Sequence, residues 1–184
     1  MKKFFILTLL AAATAPAGYC AADTYKYTPY VGLGYAFDKA QVSSVRPEYH
    51  SAEFYIGSDY SKYFGTEVFL YQSLSRTNGQ QPHNKLKSSY RAYGLDLMGY
   101  LPLDCSQKFS LLGTIGAGEY VFKHKETGFK HHNEHGYSYR FGGGFKYALN
   151  NNWQARFVAR YINFDGADKV NQAVEYGVNV EYHF

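Results

Sequence analysis

The chain has 184 residues and a formal net charge of +4, and it is rich in Tyr (20), Gly (18) and Phe (14) with few Pro (5) and Met (2). That length holds one domain with a sizeable core, and the charge, +2 once Lys2 and Lys3 are set aside (4 − 2), speaks against a nucleic-acid partner. Residues 23–184 contain no apolar run long enough for a membrane helix, while abundant aromatics and glycine suit strands, tight turns and membrane-interface belts.

The chain begins Met1-Lys2-Lys3, continues with the apolar FFILTLLAAATA, and passes through small residues to Cys20-Ala21-Ala22. This is the build of a secretory signal peptide, so residues 1–22 are expected to be removed and residues 23–184 to form the exported domain. Cleavage is placed after Ala22, with Ala17 as the alternative. Tyr19 stands where a lipoprotein signal needs a small residue before Cys20, so no lipid anchor is expected. Only Cys105 then remains, which provides no internal disulfide.

Eight segments with period two follow, the pattern of strands with two unlike faces. Residues 27–37 set Val31, Leu33, Tyr35 and Phe37 against Tyr30, Gly32, Gly34 and Ala36. Residues 51–60 set Ala52, Phe54 and Ile56 against Glu53, Tyr55, Gly57 and Asp59. Residues 64–74 set Phe64, Val68 and Leu70 against Gly65, Glu67, Phe69 and Tyr71. Residues 89–100 set Tyr93, Leu95 and Leu97 against Gly94, Asp96 and Met98. Residues 108–122 set Leu111, Ile115 and Ala117 against Thr114, Gly116 and Gly118. Residues 137–149 set Tyr137, Tyr139, Phe141, Phe145 and Tyr147 against Ser138, Arg140, Gly142, Gly144 and Lys146. Residues 153–164 set Trp153, Ala155, Phe157, Ala159 and Tyr161 against Gln154, Arg156 and Arg160. The last segment, AVEYGVNVEYHF, sets Val174, Tyr176, Val178, Val180, Tyr182 and Phe184 against Glu175, Gly177, Asn179, Glu181 and His183.

Long polar connections (38–50, 76–88, 123–136, 165–172) alternate with short ones (61–63, 101–107, 150–152). That rhythm predicts an antiparallel meander closed into a barrel, with all long loops at one end. A soluble lipocalin-like barrel would turn the apolar face inward, whereas a membrane barrel turns it toward lipid and keeps a polar interior. Aromatics near segment ends (Tyr60, Tyr63, Phe64, Tyr100, Trp153) resemble interfacial girdles and favour the membrane barrel. The segments reach the ~9–11 residues that a tilted strand needs to cross hydrocarbon. Lipid tolerates no open sheet edge, so the sheet must close.

With its signal peptide, eight alternating segments, YGLDLMGYLPL (93–103) and terminal VEYGVNVEYHF, the chain resembles the small eight-stranded bacterial outer-membrane barrels of the OmpA/OmpX type. The resemblance implies an all-β, up-and-down transmembrane barrel in the bacterial outer membrane. It also implies a terminal strand (Phe184, Tyr182, Val180) recognised by the barrel-assembly machinery, and outer-membrane lipid as a partner. With nothing after Phe184, no peptidoglycan-binding domain is expected.

Eight strands leave an interior just wide enough for side chains. Glu53, Glu67, Asp96, Arg140, Arg156, Arg160, Glu175 and Glu181 are therefore expected to form an interior charge network. Symmetric closure of the last hairpin puts Arg160 opposite Glu175. The leading expectation is a non-enzymatic protein without cofactor, interacting with extracellular or host ligands through its loops. A narrow channel dependent on Arg156 or Arg160 is the alternative, and a lipid-modifying enzyme a third class. The segment HKETGFKHHNEH gathers His124, His131, His132, Glu134 and His135 in what reads as one polar loop. The residue types suit zinc or copper, but their spacing is that of no known site.

Overall fold

The computed structural model describes residues 27–42, 48–74, 76–78, 86–104, 106–125, 132–165 and 170–184, with the backbone alone at 40–42, 48, 76–78, 86–88, 122–125, 132–134 and 170–171. The strands are β1 (Thr28–Val42), β2 (Glu48–Ser61), β3 (Phe64–Ser73), β4 (Arg76–Asn78), β5 (Leu86–Pro102), β6 (Phe109–Lys125), β7 (His132–Ala148), β8 (Trp153–Asp165) and β9 (Val170–His183). Each long strand pairs antiparallel with the next. β3 also pairs with β5, and β1 with β9, so the sheet closes on itself. The three-residue β4 pairs with β5 beyond the end of β3 and prolongs that strand, giving eight walls.

The strands outrun their apolar segments. β1 extends to Val42, β6 to Lys125, and β7 begins at His132. Much of what reads in sequence as long polar connections is thus laddered backbone. Main-chain hydrogen bonds need no apolar side chain, so a hairpin can continue past the greasy belt into water.

Side chains alternate along the strands, as the pleat requires, except at Ser58 and Asp59, adjacent and both buried beside the register shift at the end of β2. Leu33 is 66% exposed and Val178 61%, whereas Arg156 is 2% and Glu181 0% exposed. The apolar face therefore looks outward and the ionic face inward, which overturns the lipocalin-like alternative.

Short turns gather at one end and are built by local polar bonds. Asn150 Oδ1 accepts from the amides of Asn152 (2.9 Å) and Trp153 (2.8 Å), an Asx-type turn. Asp104 accepts from the Ser106 hydroxyl and from the Phe109 amide at 3.0 Å, bonds that hold its carboxyl below the usual carboxylate range. Gln107 completes this turn in the left-handed region at φ 54°.

Interior glycines make room for large side chains. Gly94 and Gly118 are register partners, and the Phe69 ring lies over both. A Cβ on Gly94 would meet Phe69 Cζ at 2.5 Å and the Ala117 carbonyl oxygen at 2.2 Å. Gly94→Ala is expected to destabilise the barrel by ~1–3 kcal/mol through overpacking, read as a lower urea midpoint in refolding assays.

Candidate functional site

Two regions carry polar chemistry, the barrel interior and the strand ends beyond the apolar belt. In the interior, inward positions on six strands bring Glu53, Glu67, Asp96, Arg140, Arg156, Arg160, Glu175 and Glu181 together, all buried. Arg140 binds Asp96 with both arms, Nε to Oδ1 at 2.7 Å and Nη2 to Oδ2 at 2.5 Å. Its guanidinium carbon lies 3.3 Å from the Phe69 ring centroid, a cation–π contact strengthened by desolvation. Arg156 donates to Glu67 from Nη1 (2.7 Å) and Nη2 (3.1 Å), and lies 3.3 Å from Glu181.

Arg160 is the most shared cation. β8 and β9 register it opposite Glu175. Its Nη1 donates to Glu175 Oε1 at 2.7 Å and to the Tyr71 hydroxyl at 3.0 Å, and lies 3.5 Å from Glu53 Oε1. Bidentate and shared geometry of this kind is what keeps several charges tolerable away from water. Toward the short turns, Lys146 Nζ donates to Asp59 at 2.9 Å and stands 4.4 Å from the Tyr100 ring centroid.

Tyr100 corrects an expectation. It is buried in the interior beside Lys146 and is not part of the outer girdle, because it shares the parity of Asp96 and Met98 on β5. Tyr60, Tyr63, Phe64 and Trp153 are exposed. The sequence reading also missed Asp38, assigned to a long connection but buried on β1. There Asp38 Oδ2 accepts from Ser51 Oγ at 2.6 Å and from the Tyr90 hydroxyl. Continuing the parity of Ala36 by one step of two would have found it. Nor is the interior purely polar. Phe69, Met98 and Leu112 are buried among the charges, and Tyr30, Tyr55, Tyr71, Tyr90 and Tyr120 bring rings as well as hydroxyls.

The histidine-rich segment is likewise not one loop. His124 ends on β6, and His132, Glu134 and His135 lie on β7. His124 and His132 are register partners, and Glu134 pairs with Phe122; His131 lies outside the described residues. His135 Nδ1 meets Glu119 Oε1 at 2.7 Å on the outer wall. Of the other histidines with described side chains, His50 bonds the Tyr35 hydroxyl and His183 lies 3.1 Å from Glu181. His83 lies outside the described residues. Phe184 and Val180 are exposed, and Tyr182 packs edge-on against Trp153 and Phe184 at the terminal seam.

The family model described as outer membrane protein beta-barrel domain matches residues 5–184. No curated protein matches the chain in sequence. The chain is similar in structure to Neisserial surface protein A, at 15% identity and TM-score 0.70 over 87% of this chain and all of that one. It is similar also to Ail, the attachment invasion locus protein of Yersinia pestis, in complex with the heparin analogue sucrose octasulfate. There the identity is 14% and the TM-score 0.64 over 87% of this chain and 100% of that one. The E. coli outer membrane protein W shares 14% identity, with TM-score 0.52 over 88% of this chain and 100% of that one.

Proposed function

Because the chain belongs to the outer membrane protein β-barrel domain family, we propose that it is a non-enzymatic protein of the bacterial outer membrane that engages anionic surface partners at its outer end. In this reading residues 1–22 are a cleaved signal peptide. Phe184, Tyr182 and Val180 present the terminal strand to the assembly machinery, and the apolar wall is solvated by outer-membrane lipid.

The carrying observation is the filled interior. Arg140, Arg156 and Arg160, each buried and each paired with a carboxylate, stand across the middle of the barrel. Opening a path there would mean breaking compensated ion pairs, which costs several kcal/mol for each charge left alone. The work of the protein is thereby moved to its outside.

The charge at the outer end supports an anionic partner. Residues 74–91 carry Arg76, Lys85, Lys87 and Arg91 and no acidic residue. Lys87 is in direct register with Lys125. Register partners lie on one face of a sheet, so the two positions offer an anion a pair of lysines on neighbouring strands. The Ail structure, which holds a sulfated sugar, makes sucrose octasulfate a reasonable probe.

Calorimetric titration of the refolded protein is expected to show binding that weakens with added salt. The Lys87→Gln/Lys125→Gln double variant is expected to lose up to roughly thirtyfold in affinity, at ~0.2–1 kcal/mol for each of the two contacts. Binding unchanged in the double variant would refute the assignment to this wall. Steady unit conductance in planar bilayers, abolished by changes at Arg156 or Arg160, would instead establish the channel.

A further inference from the structure

Asp38 and Glu175 are direct register partners across β1 and β9. Both face the interior, at 4% and 1% exposure. One oxygen of each is engaged: Asp38 Oδ2 by Ser51 and Tyr90, and Glu175 Oε1 by Arg160 (2.7 Å) and Tyr71 (3.1 Å). The other two, Asp38 Oδ1 and Glu175 Oε2, are buried without a hydrogen-bond partner.

Among the described side chains the buried charges do not balance: the acids are Asp38, Glu53, Asp59, Glu67, Asp96, Glu175 and Glu181, and the cations, histidine set aside, are Arg140, Lys146, Arg156 and Arg160, a surplus of three negative charges (7 − 4). Toward the short turns Lys146, Arg156 and His183 gather around Asp59, Glu67 and Glu181. Arg140 is committed to Asp96. Arg160 is left to serve both Glu53 and Glu175.

Apart from these cations, the described groups near the pair are acids or hydroxyls. β2 presents Tyr49, Ser51 and Glu53, β3 Tyr71, β5 Tyr90 and β6 Tyr120. Two carboxylates directly opposed in a dry interior cannot both ionise without large repulsion. Two free oxygens are also too few for calcium, which takes six to eight.

We propose that Asp38 keeps its proton at neutral pH and presents it to Glu175, a clasp across the seam where the first and last strands meet. In the unfolded chain the two carboxylates are separate and ionised at neutral pH. The folded state therefore binds one proton more than the unfolded state, and stability falls as pH rises. The fall is about tenfold in the unfolding equilibrium per pH unit, and it ends once Asp38 of the folded state is ionised.

The test is urea unfolding of the lipid-refolded protein from neutral to alkaline pH, together with the infrared carbonyl stretch of protonated carboxyl groups. The wild type is expected to show the tenfold slope and a protonated-carboxyl band at neutral pH. Asp38→Asn, which keeps an acceptor for Ser51 and Tyr90, is expected to lose both. A slope that survives in Asp38→Asn overturns the proposal. So does a wild type without the band, a measurement that decides the matter even if the variant fails to fold.

Discussion

Arg160→Met will lower the stability of the refolded barrel by ~3–5 kcal/mol, the cost of breaking a buried ion pair from one side. Arg160 is the cation that Glu175, Glu53 and the Tyr71 hydroxyl have in common, and its Nη2 lies 3.6 Å from Asp96. Methionine fills much of the volume but supplies no charge, so the carboxylates would face one another with fewer donors. Adding Glu175→Gln removes one stranded charge. The double variant should therefore be more stable than Arg160→Met alone, with a coupling of ~0.5–3 kcal/mol. Urea unfolding in lipid vesicles, followed by the fluorescence of Trp153, the single tryptophan, would read both. Equal stabilities of wild type and Arg160→Met would show that the interior charges are hydrated and do not form a dry network.

Val178→Arg carries the second large effect, an expected loss of ~2–4 kcal/mol in a bilayer. Val178 projects outward on β9, flanked in register by Tyr35 of β1 and Phe157 of β8. A guanidinium at that position would meet hydrocarbon. The same change at Gln172, exposed near the far end of β9, should cost only ~0–1 kcal/mol, since the penalty falls toward the interface. The difference between the two positions is the measurement. If both variants unfolded at the same urea concentration as the wild type in lipid, the outer face would not be the membrane face.

Much of the wall was legible in the residues. The side on which Phe54 or Glu53 falls follows from the covalent pleat, which sends successive side chains to opposite faces whatever the rest of the chain does. Arg160 opposite Glu175 was legible too, because symmetric closure of the last hairpin ties the register of its two strands to its own turn. Tyr100 was misplaced when its type and its nearness to a turn were weighed above its parity. The polar ends of β6 and β7 read as loop because polarity marks where lipid stops, while pairing stops only where the backbone ladder does.

By itself, then, the sequence determined the alternation, the eight apolar segments, the neighbour pairing and the outward turn of the greasy face, all consequences of local geometry and solvent preference. Only the tertiary structure decided which inward groups share a cation, that Arg140 rather than Arg160 holds Asp96 with both arms, and that Asp38 faces Glu175. Those contacts join residues through the closed cylinder, and their register is set by the shear with which the whole sheet meets itself, a quantity that no single segment contains.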